Sequence, residues 1–258
     1  MKTKLENLIL LALLAILPSS LLAQESNENQ SFAVHEDVVK MNMVAEYEET
    51  CKELVGHLKK HNIQEARFIT ANTSDNRYIY VSPIENMAEL DKPVFSTLSE
   101  KMGKEAMNAL FNRMDKCYDV EHDYIITLDQ SLSYQPQGID QTPEGEDFRK
   151  FHYLYITPAN RAMVKEKMKA VRDMFERKGS QMYYRVYRSG YGTRGEFYMV
   201  AVAAKDQLDY AQKSLANDEL IGEDGGKVMW DLFENLLSYE EYTGQMRPEM
   251  AYAPMNMN

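Results

Sequence analysis

Only two cysteines, Cys51 and Cys117, occur in the 258 residues, too few for a fold stapled by disulfides. Tryptophan is nearly absent: Trp230 stands alone. Basic residues are outnumbered, 29 Lys and Arg against 40 Asp and Glu, for a formal charge of −11. A surface of that sign repels a phosphate backbone, so nucleic acid is not an expected partner. The chain has no P-loop, no Gly-x-Gly-x-x-Gly, no Gly-x-Ser-x-Gly elbow, no His-Glu-x-x-His and no Cys-x-x-Cys. Nucleotide-dependent, serine-hydrolase, zincin and thioredoxin-like chemistries therefore lose their usual warrant. What is present is core material: 44% of the residues are hydrophobic, ample for a folded protein of this length.

The first residues predict export. Lys2 and Lys4 precede an apolar run over residues 8–17, ended by Pro18, with small residues before Gln24. This pattern reads as a secretory signal peptide covering residues 1–23. The run is shorter than the roughly 20 residues that span a bilayer, so no stable membrane span is expected after cleavage. A periplasmic or extracellular destination follows, with a polar leader at residues 24–31.

A strand-like stretch at residues 32–39 then leads to an expected helix capped by Asn42. Tyr47, Cys51, Leu54 and Leu58 form its apolar stripe, and Asn62 is placed to stop it in a left-handed conformation. The plan recurs at a constant offset. Asn160 stands as cap, Val164, Met168, Val171 and Phe175 as stripe, Gly179 as stop, and His152 opposite His35. Two strands and a second helix follow in each part, marked by Leu110-Phe111 and Leu232-Phe233. The reading is an internal duplication: halves at 32–136 and 148–254, a linker at 137–147 rich in Gly, Pro and acids, and a disordered tail at 255–258. Each half has the order strand, helix, strand, strand, helix, strand, the ferredoxin-like pattern. Apolar and aromatic residues on both parities of the strands require both sheet faces to be covered. The expected architecture is α+β, with the two halves packed sheet to sheet as an intramolecular pseudo-dimeric α/β barrel. Such a chain satisfies its own dimer, so a monomer is expected.

This element order and the His35/His152 pairing resemble the dimeric α/β-barrel superfamily in a tandem, fused form, including antibiotic-biosynthesis monooxygenases, haem-degrading monooxygenases, chlorite-dismutase-like and NIPSNAP-type proteins. The first-strand segment Val34-His35-Glu36-Asp37 also resembles uncharacterised exported proteins of Bacteroidetes-type bacteria. The resemblance implies a cavity between sheet and helices for a small aromatic or haem-like ligand.

His35 and His152 are the candidate catalytic residues, as base or haem-iron ligand, against the alternative of histidines satisfied by their neighbours. Asp37 shares a strand face with His35. His122, entering the last strand of the first half, is placed to approach His35. Arg77, Tyr80, Arg185 and Tyr187 belong to an Arg/Tyr concentration on the middle hairpins, suited to an anionic or aromatic ligand or to cross-strand pairing. No metal site is expected: His57 and His61, one turn apart, read as a solvated helix face. Cys51 and Cys117 read as buried thiols, and Trp230 as core. The leading functional expectation is a binding protein for a small hydrophobic, aromatic or anionic molecule. The alternatives are a cofactor-independent or haem-using oxidoreductase, and a structural envelope protein without a pocket.

Overall fold

The computed structural model describes residues 29–255. The expected signal peptide, most of the polar leader and tail residues 256–258 lie outside the described residues. Thirteen main elements follow in order. These are β1 (Ser31–Val39), α1 (Val44–His61), β2 (Ile69–Thr73), β3 (Arg77–Ile84), α2 (Ser96–Met102), α3 (Lys104–Met114) and β4 (Tyr118–Leu128). Then come β5 (Phe148–Ile156), α4 (Arg161–Lys178), β6 (Tyr184–Ser189), β7 (Glu196–Ala204), α5 (Gln207–Phe233) and β8 (Ser238–Met246).

The helical stripes behave as their spacing requires. Tyr47, Cys51, Leu54 and Leu58 are buried on α1, and Val164, Met168, Val171 and Phe175 on α4. Asn62 (φ 45°) and Gly179 (φ 66°) stop these helices in the left-handed region. The caps differ from expectation. A short 3₁₀ turn at Met41–Met43 precedes α1, so Asn42 caps nothing, and the Asn160 side chain instead accepts a hydrogen bond from the Thr157 amide. On α3, Met107, Leu110 and Met114 are buried.

The eight strands form one closed antiparallel barrel in the order β1-β3-β2-β8-β5-β7-β6-β4. This corrects the expected pair of ferredoxin-like halves stacked sheet on sheet. Two short seams make the difference. Ala71, Asn72 and Thr73 of β2 pair with Met246, Gln245 and Gly244 of β8, and Ile126, Thr127 and Leu128 of β4 pair with Ser189, Arg188 and Tyr187 of β6. Two separate sheets would leave four edge strands with unpaired backbone groups, and closure removes all of them.

Alternation along the strands sorts side chains into three cores. Phe32, Val34, Ile79, Ile126, Phe151 and Tyr153 fill the lumen. Outside the barrel, α1, α2 and α3 cover one side around Tyr47, Leu58, Leu98 and Leu110. On the other side α4 and α5 enclose Leu154, Val164, Val186 and Leu232. Trp230 lies on the outer surface of α5, 68% exposed, and is not core.

Gly244 marks the tightest point of the β2–β8 seam. A Cβ there would lie 2.7 Å from the Phe151 ring and 2.8 Å from the Asn72 carbonyl oxygen. The backbone oxygen cannot swing aside, so Gly244→Ala is expected to cost about 1–2 kcal/mol of stability. Chemical denaturation of the variant checks this, and an unchanged midpoint would show that the seam is loose.

Candidate functional site

The register of β1 with its neighbours builds a polar cluster on the outer face of the barrel. His35 stands opposite Asp123 of β4 and Tyr80 of β3, and Asp37 stands opposite Glu121 and Tyr78. His35 Nδ1 lies 2.9 Å from Asp123 Oδ1 and its Nε2 lies 3.1 Å from Asp37 Oδ1. The Asp37 carboxylate, with help from Asp123, raises the imidazole from its ordinary value to about 9 against the opposing effect of burial. His35 is therefore a cation at neutral pH.

Asp37 is 1% exposed, with its charge held from two sides. Tyr47 of α1 donates its hydroxyl proton to Oδ2 at 2.5 Å. Tyr80 lies 2.9 Å from the Tyr47 oxygen, and the Cys51 thiol lies 3.1 Å from Tyr80. Oδ1, closed to solvent, faces the His35 imidazolium at 3.1 Å as an ion pair and takes no well-aligned hydrogen bond. Burial pushes the phenols of Tyr47 and Tyr80 far above their usual range and the Cys51 thiol up to about 12. Cys51 and Cys117 are both free and buried, in keeping with their placement as thiols.

This cluster closes one wall of a cleft of about 1150 Å³ between the barrel and the α1–α3 side. Ala33 and Ser82, a cross-strand pair, form its sheet wall together with Tyr80, and Leu54, Phe68 and Phe111 add apolar surface. The lining is mainly apolar, with acceptors at the polar end: Asp37, Glu121 and Asp123 surround the single imidazolium. His35, Asp37 and Glu121 bring ligand atoms within 4.8 Å of one another, the donor set of a small cation site. In this arrangement the cation held by the carboxylates is the imidazolium.

His152 occupies the corresponding strand position on the other side and differs in every respect. Its Nδ1 lies 2.6 Å from the Tyr239 hydroxyl, which donates onward to Glu241 at 2.8 Å, and Tyr210 lies 3.3 Å from Nε2. That chain makes Nδ1 the donor and Nε2 the acceptor of a neutral ring. Burial, then the Lys150 charge, lowers its pKa to about 4. His35 and His152 thus share a position and not a chemistry.

The other candidates separate to distinct places. Tyr80 belongs to the cleft. His122 stands next to Asp123 and therefore points to the opposite face of the sheet from His35, so the expected approach does not occur. It lies 3.3 Å from Glu36, contacts Arg194, and shares Glu36 with Tyr124 and Arg77, whose guanidinium sits 4.1 Å over the Tyr242 ring. Arg185 and Tyr187 face the lumen near its other end, beside Arg149. A haem iron needs an imidazole nitrogen free to bind, and both nitrogens of His35 and of His152 are already engaged. Neither histidine fits that role as placed. Glu121 and Tyr47 were not singled out from sequence as site residues; alternation on β4 and the α1 stripe carry their signal, but only the register joins them to His35.

No protein-family model matches the chain, and no curated protein matches its sequence. Solved structures do match its shape. An anthrone oxidase-like protein superposes with a TM-score of 0.59 at 8% identity, over 86% of this chain and 93% of that one. A candidate monooxygenase from Fusobacterium nucleatum gives 0.52 at 13% identity, covering 84% and 92% of the two chains. Another from Lactobacillus acidophilus gives 0.51 at 8% identity, covering 85% and 94%. The chain shares the barrel fold of these proteins. A common fold at such identities leaves the chemistry to be argued from the site. Among the described residues no helix is long and apolar enough to cross a membrane.

Proposed function

We propose that this protein, exported by its leader sequence, binds a small aromatic or otherwise apolar molecule carrying a hydroxyl or amino group in the cleft beside His35 and Asp37. The observation that carries this reading is the end of the cleft. A mainly apolar cleft of about 1150 Å³ ends at the carboxylates of Asp37, Glu121 and Asp123 gathered around one imidazolium. An excess of acceptors in such a place favours a ligand that brings a donor and rejects one that brings another negative charge. The anionic ligand expected from the Arg/Tyr concentration does not suit this cleft, since its polar end holds three carboxylates against one imidazolium.

Oxidation of such a molecule is the second reading. It is favoured by the fold shared with monooxygenase-like proteins and by the exposed carboxylates of Glu121 and Asp123 at the polar end of the cleft, placed to accept a proton from a substrate hydroxyl. His35, already protonated, would stabilise the resulting oxyanion and would not serve as the base. Oxygen consumption with a bound hydroxyarene tests that branch.

Binding itself is tested with 2-naphthol as probe. Calorimetric titration is expected to show saturable, one-to-one binding to the wild type. Ser82→Phe places a ring in the cleft and is expected to weaken binding at least tenfold while the fold, read by circular dichroism, is retained. Equal affinity in the variant would put the probe elsewhere.

A further inference from the structure

One end of the barrel lumen contains two buried cations without an anionic partner. Arg149 on β5 and Arg185 on β6 are each 2% exposed. With Tyr187, Phe151, Ala201 and Gln141 they line a cavity of about 60 Å³ inside the barrel. Their hydrogen bonds run to backbone carbonyls of the segment between β4 and β5 and of β5 itself. Arg149 donates to Gln141 at 2.9 Å, to Phe148 at 3.0 Å and to Glu146, and Arg185 donates to Asp140. Among the described residues neither guanidinium forms an ion pair, and Arg185 Nε is buried with no hydrogen-bond partner.

The neighbouring carboxylates are engaged or turned outward. Glu146 pairs with Lys213 at 2.8 Å, Asp140 accepts from the Thr142 amide at 2.9 Å, and Asp147 is exposed. Burial, and next the charge of Arg185, lowers Arg149 to about 10, still a cation at neutral pH. Carbonyl dipoles soften two like charges in an apolar lumen but do not neutralise them. We propose that the lumen binds one small monovalent anion, of halide or formate size, between Arg149 and Arg185. The cavity has room for an ion of one to three heavy atoms, Arg185 Nε supplies an unused donor, and the Phe151 and Ala201 walls favour a weakly hydrated ion. The site is on the opposite face of the barrel wall from the cleft and does not depend on what binds there.

Bromide is the probe. Protein dialysed into sodium gluconate, an anion too large for the cavity, is unfolded thermally while bromide replaces gluconate at constant ionic strength. The expected result is a saturable rise in Tm of about 5 °C that disappears in Arg185→Met. Equal Tm in the two salts, or an undiminished bromide dependence in Arg185→Met, would overturn the proposal. Should that variant fail to fold, anomalous scattering from bromide-soaked wild-type crystals decides. A peak between the two guanidinium groups supports the site, and peaks confined to the surface refute it.

Discussion

Tyr47→Phe is expected to lower the free energy of unfolding by about 3 kcal/mol, far more than deletion of one hydroxyl from a surface tyrosine. The hydroxyl is the 2.5 Å donor to Asp37 Oδ2, and the carboxylate it holds is 1% exposed. Without it the buried carboxylate would be held by its ion pair with His35 alone. The ring itself stays packed, since Phe fills the same space against Tyr78 and Tyr118. Urea denaturation measures the loss, and a double-mutant cycle with Asp37→Asn isolates the coupling. A cost below about 0.5 kcal/mol, or a coupling near zero, would mean that the buried carboxylate is held by something other than Tyr47.

The second large effect is a dependence of stability on pH that originates at His35. Its folded-state pKa of about 9 lies above the ordinary 6.5, so the folded form binds this proton more tightly than the unfolded chain does. The contribution is complete below about pH 6.5 and fades as the pH rises through 9. His35 is 40% exposed, and solvent screening reduces the effect to about 1–2 kcal/mol. His152 acts in the opposite direction, since its lowered pKa of about 4 removes stability as the pH falls below 6.5. Asp123→Asn is expected to bring His35 down partway and flatten the alkaline arm while the acid arm remains. Proton NMR titration of the imidazole signals follows each histidine separately. A His35 resonance titrating near 6.5 in the wild type would contradict the ion-pair geometry.

Local elements were legible because their signals are local. The α1 and α4 stripes, the left-handed stops at Asn62 and Gly179 and the extent of β1 depend on nearby residues, and the structure agrees with them. The barrel closure was not legible. Ala71–Thr73 with Gly244–Met246, and Ile126–Leu128 with Tyr187–Ser189, are pairings between distant segments that no periodicity announces. The glycines of α5 do mark a break: Gly222, with φ 64°, leaves helical geometry, so α5 is two helices joined across a kink, the second running to Phe233. Ile221 before the kink and Leu232 after it pack into the same core with α4 and the barrel.

The candidate site shows the same division. His35 and Asp37 share a face by strand alternation, which sequence reveals. Their meeting with Asp123 and Glu121 depends on the β1–β4 register, and the meeting with Tyr47 on where α1 lies across the sheet. Parity on β4 separates His122 from His35 by directing neighbouring residues to opposite faces of the wall. The Arg/Tyr concentration likewise divides, with Tyr80 in the cleft, Arg77 at one end of the lumen and Arg185 with Tyr187 at the other.

The most direct measurement of the cleft's character is a calorimetric comparison, at pH 7, of naphthalene, 2-naphthol and 2-naphthoate, which share one ring system and differ in the polar group. An apolar cleft ending in an excess of carboxylate acceptors predicts that 2-naphthol binds tightest, naphthalene more weakly and 2-naphthoate weakest of the three. Tightest binding of 2-naphthoate, or no binding of any of them, would contradict the account.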